Sequence, residues 1–162
     1  MNNDNPILVS DVMDREVIFI SPGTTLQELL KKFRGFHTFP VVPVVNKEGI
    51  MIGTISFRGL IEIFQTKGTS LIKGVPFLEK EEVDIFNLDI DEDAGVLFIA
   101  QDIMDAKFLH LDEDMPLEKA YTTMKINSVD RLPVTDKEGR LTGIIGVFDI
   151  LLAIFEKKGL IK

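Results

Sequence analysis

The stretch SDVMDREVIFISPGTTLQELLKKF, from Ser10 to Phe33, returns as QDIMDAKFLHLDEDMPLEKAYTTM, from Gln101 to Met124. Asp11, Met13, Asp14 and Leu26 match Asp102, Met104, Asp105 and Leu117 at an offset of 91. Downstream, PVVNKEGIMIG (Pro43 to Gly53) matches PVTDKEGRLTG (Pro133 to Gly143) at an offset of 90. The first copy has therefore gained one residue between Leu26 and Pro43. Self-similarity at a fixed spacing marks one supersecondary unit used twice. The copies span residues 8–66 and 99–157, with residues 67–98 between them.

Each copy carries the same local signals. A D-h-M turn precedes a strand, expected at Val17–Ser21 and at Lys107–Leu111. Thr24 or Thr25, and Asp114, are candidate N-caps for the next helix, with Pro116 near its first turn. Apolar residues at helical spacing predict helices over Leu26–Phe33 and Leu117–Lys125. Pro43–Val45 and Leu132–Thr135 read as strands. Lys47-Glu-Gly and Lys137-Glu-Gly read as hairpin turns, where glycine supplies positive φ. The returning strands, Ile50–Ser56 and Arg140–Gly146, run directly into the final helices. The order per copy is β-α-β-β-α. One such unit cannot cover both faces of its sheet, whereas two packed together can, with a cleft between them.

The connection over 67–98 is longer than most in compact domains. Its apolar residues (Val75, Phe77, Leu78, Ile85, Phe86) predict that it is packed. Val83–Ile90 alternates well enough to predict an extra edge strand.

Composition narrows the function classes. The chain has 162 residues, is 45% hydrophobic and has a mean hydropathy of +0.17, enough to bury a core. No apolar run approaches the roughly 18 residues that a membrane span needs. The N-terminus MNNDNP resembles neither a signal nor a transit peptide. No cysteine is present, which excludes disulfides and thiol nucleophiles. The net charge of −8 argues against nucleic acid as a main partner. The expectation is a cytoplasmic protein without membrane insertion.

A duplicated β-α-β-β-α unit with D-h-M at its start and P-V-x-[DN]-x-x-G before its hairpin resembles the cystathionine-β-synthase (CBS) domain. Two in tandem resemble a CBS pair, or Bateman module. The resemblance implies an α+β fold of tandem repeats packed sheet to sheet with pseudo-two-fold symmetry. In that family the last strand and helix of a copy often read G-h-h-[ST]-x-x-D-h. There the hydroxyl and the aspartate hold the phosphate and ribose of an adenosine ligand, since a carboxylate can accept from both ribose hydroxyls.

This chain has half of that motif in each copy. Ser56 stands at the first hydroxyl position, with Gly59 where an aspartate is expected. In the second copy Gly146 replaces the hydroxyl and Asp149 keeps the carboxylate. The resemblance therefore implies one asymmetric site centred on Asp149, with Gly146, Ile145, Arg131 and Pro133 beside it. Residues around the adenine would be Val17 and Ile18, or Phe108 and Leu109. Arg131 holds a place where family members often carry a basic residue that reaches phosphate. Each assignment has a plainer alternative. Asp149 could serve the helix dipole alone. Arg131 could pair with Asp130 or Asp136. Arg58 could meet phosphate, solvent or a dimer partner. His37 falls near the cleft only under a different alignment of Phe36–Val42.

The remaining signals favour binding over catalysis. Asp89, Asp91 and Asp93 have calcium-loop spacing, but Ala94 and Ala100 replace the required glycine and glutamate, so a solvated acidic loop is expected. His37 and His110 lie in different copies and suggest no metal site. No nucleophile–base pair or phosphate loop is apparent, and an enzyme is not expected. The final helix, Phe148–Phe155, is apolar almost all round, as is Leu60–Phe64. Such helices need covering on several sides, and in CBS pairs they meet a second molecule.

The reading from sequence is thus a homodimeric regulatory protein that binds AMP, ADP, ATP or S-adenosylmethionine and signals to an effector in trans. A ligand-independent dimerisation scaffold is the second reading. A regulatory segment of a transporter or channel is the third, which the polar start at Met1 favours less.

Overall fold

A computed structural model describes residues 5–37, 40–56, 58–61 and 93–161. Most of the connection, with the edge strand expected over Val83–Ile90 and the acidic run before Asp93, lies outside these residues. Val9–Asp11 form a 3-10 turn. Helix α1, Leu26–Lys32, starts at Thr25, as one of the two threonine caps anticipates. The Glu28 N–H donates to the Thr25 hydroxyl at 3.2 Å, and the Thr25 N–H donates to the Glu28 carboxylate at 2.8 Å. This reciprocal capping box satisfies two N–H groups that the first helical turn would otherwise leave open. Strands β1, Val42–Val45, and β2, Met51–Ile55, pair antiparallel. Residues 58–61 are helical.

Short helices α2, Ala94–Leu97, and α3, Ala100–Ile103, lead into the second copy. Strand β3, Leu111–Asp112, lies parallel to β4, Arg131–Thr135, which pairs antiparallel with β5, Leu141–Gly146. Helix α4, Leu117–Asn127, precedes β4, and helix α5, Val147–Lys157, follows β5 without a break. Both hairpin glycines have positive φ, 82° at Gly49 and 79° at Gly139. The Asn46 side chain accepts from the N–H groups of Glu48 and Ile50, and the Asp136 carboxylate accepts from those of Glu138 and Arg140. These local bonds explain why two different residues build the same turn.

The copies exchange their first segments. Asp14 trades both backbone hydrogen bonds with Ile144, at 2.8 Å each, and Asp105 does the same with Thr54, at 2.8 and 3.0 Å. Val9 and Met13 are consequently buried in the second copy's core with Leu111, Met124 and Val134. Ala100 is buried in the first copy's core with Ile20, Leu29 and Val44. Glycine is required where this exchange is tightest. A Cβ on Gly143 would stand 2.5 Å from Met13 Sδ and 3.0 Å from the Asp14 carbonyl oxygen. One on Gly53 would stand 2.6 Å from Met104 Sδ and 3.1 Å from the Asp105 carbonyl oxygen.

A pseudo-two-fold axis passes between the hairpins, where Ile50 bridges its own counterpart Arg140. The Met51 N–H donates to the Gly139 carbonyl at 3.0 Å, and the Leu141 N–H donates to the Gly49 carbonyl at 3.2 Å. The α+β architecture and the duplicated order therefore stand as expected.

Two expectations are corrected. The first strand of each copy is shorter than the sequence suggests. Only Ile20 bridges to Val44, and only Leu111–Asp112 forms a strand. The reason is the exchange: the chain is paired to one copy at Asp14 and to the other at Ile20, so residues 15–19 cross between sheets. Asp114 is not the cap of α4 either. The cap position is Pro116, and Asp114 instead pairs with Lys137 at 3.0 Å.

Candidate ligand-binding site

The site is built where β5 turns into α5. Gly146 is the last residue of β5 and the N-cap of α5, with extended backbone at φ −117°. Its N–H donates to Asp149 Oδ2 at 2.7 Å. The carboxylate therefore closes its own helix end and leaves Oδ1 for another donor. Asp149 is half-buried. Arg131, the first residue of β4, sits directly across from Gly146 in the ladder and is exposed. A Cβ on Gly146 would lie 3.3 Å from Asp149 Oδ2, 3.3 Å from the Asp130 carbonyl oxygen and 3.4 Å from Arg131 Nε. The carboxylate and the guanidinium thus face one small volume beside Gly146.

The first copy keeps the other half of the arrangement. The Gly59 N–H donates to Ser56 Oγ at 3.2 Å, so the serine hydroxyl caps the helical segment that includes residues 58–61. Gly59 brings no carboxylate. Arg58 is exposed, and so are His37 and His110, the latter with its ring 5.6 Å from that of Phe108.

The candidate residues fall into two groups. Val17 and Ile18 lie three and four residues beyond Asp14, which is paired to β5, and so they belong with Asp149. Phe108 and Leu109 lie beyond Asp105, which is paired to β2, and belong with Ser56. Ile145 and Pro133 are fully buried, so they could meet a ligand only through backbone atoms. Local sequence patterns carry no signal for this crossing, because it is made by pairing Asp14 with Ile144 and Thr54 with Asp105, far apart in the chain. Two surface depressions of about 480 and 460 Å³ occupy equivalent places on the copies, one beside Ser21 and Glu28, the other beside Asp112 and Lys119. Neither includes Asp149 or Ser56.

Among the described residues, Arg131 forms no ion pair, and the partner expected for it at Asp136 is engaged by Arg140 at 3.3 Å. No group of three or more histidine and acidic residues among them is placed to hold a metal ion. No helix among them is long and apolar enough to cross a membrane. Helix α5 buries Ile150 at 4% exposure, while Phe148, Leu151 and Phe155 are 65%, 47% and 40% exposed. The apolar circumference of α5 is thus covered on one side only.

Residues 9–66 and 100–156 match the CBS domain family, and the chain belongs to it as a tandem pair. The Methanocaldococcus jannaschii protein MJ1426 is 25% identical over 161 residues, covering 94% of each chain. Among solved structures, CBSX2 in complex with AMP superposes with a TM-score of 0.67 at 19% identity, covering 93% of this chain and 98% of that one. The CBS pair of protein MJ0100 in complex with 5′-methylthioadenosine and S-adenosylmethionine gives 0.63 at 18% identity, covering 94% and 99%.

Proposed function

We propose that this CBS pair is a cytoplasmic, non-catalytic regulator that binds one adenosine-containing ligand per chain beside Asp149. The observation that carries the reading is the half-buried Asp149 carboxylate. One of its oxygens is held by the Gly146 N–H, the other is available, and the guanidinium of Arg131, which forms no ion pair among the described residues, stands across the strand. Related pairs solved with AMP and with S-adenosylmethionine support the ligand class. The ribose diol would donate to Oδ1, and Val17 and Ile18 would flank the base. The exposed face of α5 would meet a second copy of the chain, and ligand binding would shift the angle between repeats for an effector to read.

Calorimetry with AMP, ADP, ATP and S-adenosylmethionine on wild type and Asp149→Ala tests this. One ligand bound per chain, with the substitution weakening it tenfold or more (about 1.4 kcal/mol), supports the site. No binding by wild type leaves Asp149 as a helix cap. The protein then reads as a dimerisation scaffold, which the completed cap at Gly146 already favours as the second reading.

A further inference from the structure

We propose that Met104 is an oxidative modification site: a peroxide converts its thioether to the sulfoxide and so unlatches the second copy's opening segment from the first copy. The inference is independent of what Asp149 binds. It comes from a difference between two contacts that are otherwise alike. Met13 closes on Gly143, and Met104 closes on Gly53. In each, Sδ and Cγ fill the space that a Cβ on the glycine would need, at 2.5 and 2.9 Å for Met13 and at 2.6 and 2.9 Å for Met104. Each methionine stands one residue before an exchanged backbone pair, Asp14 with Ile144 and Asp105 with Thr54. The two differ in access. Met13 is 7% exposed and lies inside the second copy's core. Met104 is half-buried and packs against the first copy's core. The chain has no cysteine, so methionine carries all of its sulfur. Among the described methionines, Met13, Met51 and Met124 are buried, while Met104 and Met115 are half-buried. Met104 alone joins access to one of the two contacts just described.

The step balances with one peroxide. Sδ gives a lone pair to a peroxide oxygen, an S–O bond forms and the O–O bond breaks. The second oxygen leaves as water once it has taken the proton. Sulfur is oxidised and the peroxide is reduced. The product is a polar, chiral group in place of a flexible apolar one. Its oxygen sits on an atom already closed against Gly53 and the first copy's apolar core. An interior packed at this density has no spare volume, and a polar group placed there without a partner is costly. The Asp105 N–H donates to the Thr54 carbonyl at 2.8 Å, and the Thr54 N–H donates to the Asp105 carbonyl at 3.0 Å. Both bonds lie beside the sulfur's contact and lose its support. Phe108 and Leu109, three and four residues beyond Asp105, follow from that pairing. Met13, closed off from the oxidant, keeps the other opening segment latched.

The test is amide hydrogen exchange on the intact chain before and after hydrogen peroxide, with mass mapping of the sulfoxides, on wild type, Met104→Leu and Met104→Gln. In wild type, Met104 should gain one oxygen well before Met13, Met51 and Met124. The Thr54 and Asp105 N–H groups should then lose about tenfold or more of their protection, while those of Asp14 and Ile144 keep theirs. Reduction by methionine sulfoxide reductases should restore it. Met104→Leu should hold the Thr54 and Asp105 protection through the same treatment. Met104→Gln, which brings a polar group without oxidant, should lose it untreated. The wild-type arm needs no variant to fold. Oxidation of Met104 no faster than that of the buried methionines overturns the proposal. So does unchanged protection at Thr54 and Asp105 in the oxidised chain, or an equal loss at all four amides. A Met104→Leu variant that responds to peroxide as wild type does, or a Met104→Gln variant that keeps full protection, overturns it too.

Discussion

At the end of its last strand the first copy offers Ser56 and the second offers Gly146. Three residues on, the first offers Gly59 and the second Asp149. A hydroxyl and a carboxylate at this spacing form a helix capping box as well as a ligand pair. Each copy has kept a different half of it. Ser56 accepts from the Gly59 N–H, and Asp149 accepts from the Gly146 N–H. One half is enough to start each helix, so the fold tolerates the loss of the other. Recognition of a ribose phosphate is less forgiving, because it needs a carboxylate and a donor in the same cleft. Among the described residues, the second copy brings Arg131 Nε and Asp149 Oδ2 within 3.4 and 3.3 Å of the point where a Cβ on Gly146 would stand.

The comparison breaks hardest where the copies are most alike. Gly143→Ala and Gly53→Ala each place a Cβ against an exchanged methionine and the backbone carbonyl beside it. Each should cost about 1–3 kcal/mol in urea denaturation, the usual range for overpacking. Gly143→Ala should couple to Met13→Ala in a double-mutant cycle and add independently with Met104→Ala. The reverse pattern would mean that each methionine packs on its own copy.

A smaller effect tests the half caps. Asp149→Ala and Ser56→Ala should each cost about 0.5–2 kcal/mol, the range for one lost N-cap contact. Equal costs would place both halves on the same footing in folding. A ligand effect confined to Asp149→Ala would then separate cap from site.

The smallest effect is a pH dependence that belongs to one copy. The Arg140 backbone N–H holds the Asp136 carboxyl below its ordinary value, with the N–H of Glu138 and the charge of Arg140 adding to this. Its lowered folded pKa contributes stability that is complete above the ordinary carboxylate range. That contribution is lost as pH falls through the folded value. The equivalent turn residue is Asn46, which does not titrate. Asp136→Asn should therefore flatten the acid limb of the stability curve by a small amount, since its partners on this surface turn are screened by solvent. Glu28, held low chiefly by the Thr25 N–H, would supply part of the slope that remains.

Much of the fold was legible because its signals are local. The repeat fixed the element order, Gly49 and Gly139 marked the hairpins, and Thr25 with Glu28 marked the start of α1. Asp149 was legible as a site candidate through the motif that the CBS resemblance implies, G-h-h-[ST]-x-x-D-h. Three things were not. The strand expected at Val17–Ser21 reduces to a bridge at Ile20, since residues 15–19 cross between copies. Asp114 was a plausible cap by type, yet its carboxylate is drawn to Lys137. Arg131 left an even choice between ion pair and ligand contact, which depends on where Asp136 and Arg140 point.

By itself the sequence determined the repeated unit, its turns and its caps, because those depend on backbone conformation within a few residues. The tertiary structure decided which copy each opening segment completes, that Arg131 lies beside Gly146, and that Phe148, Leu151 and Phe155 face outward. These depend on distances between residues far apart in the chain, which no local propensity encodes.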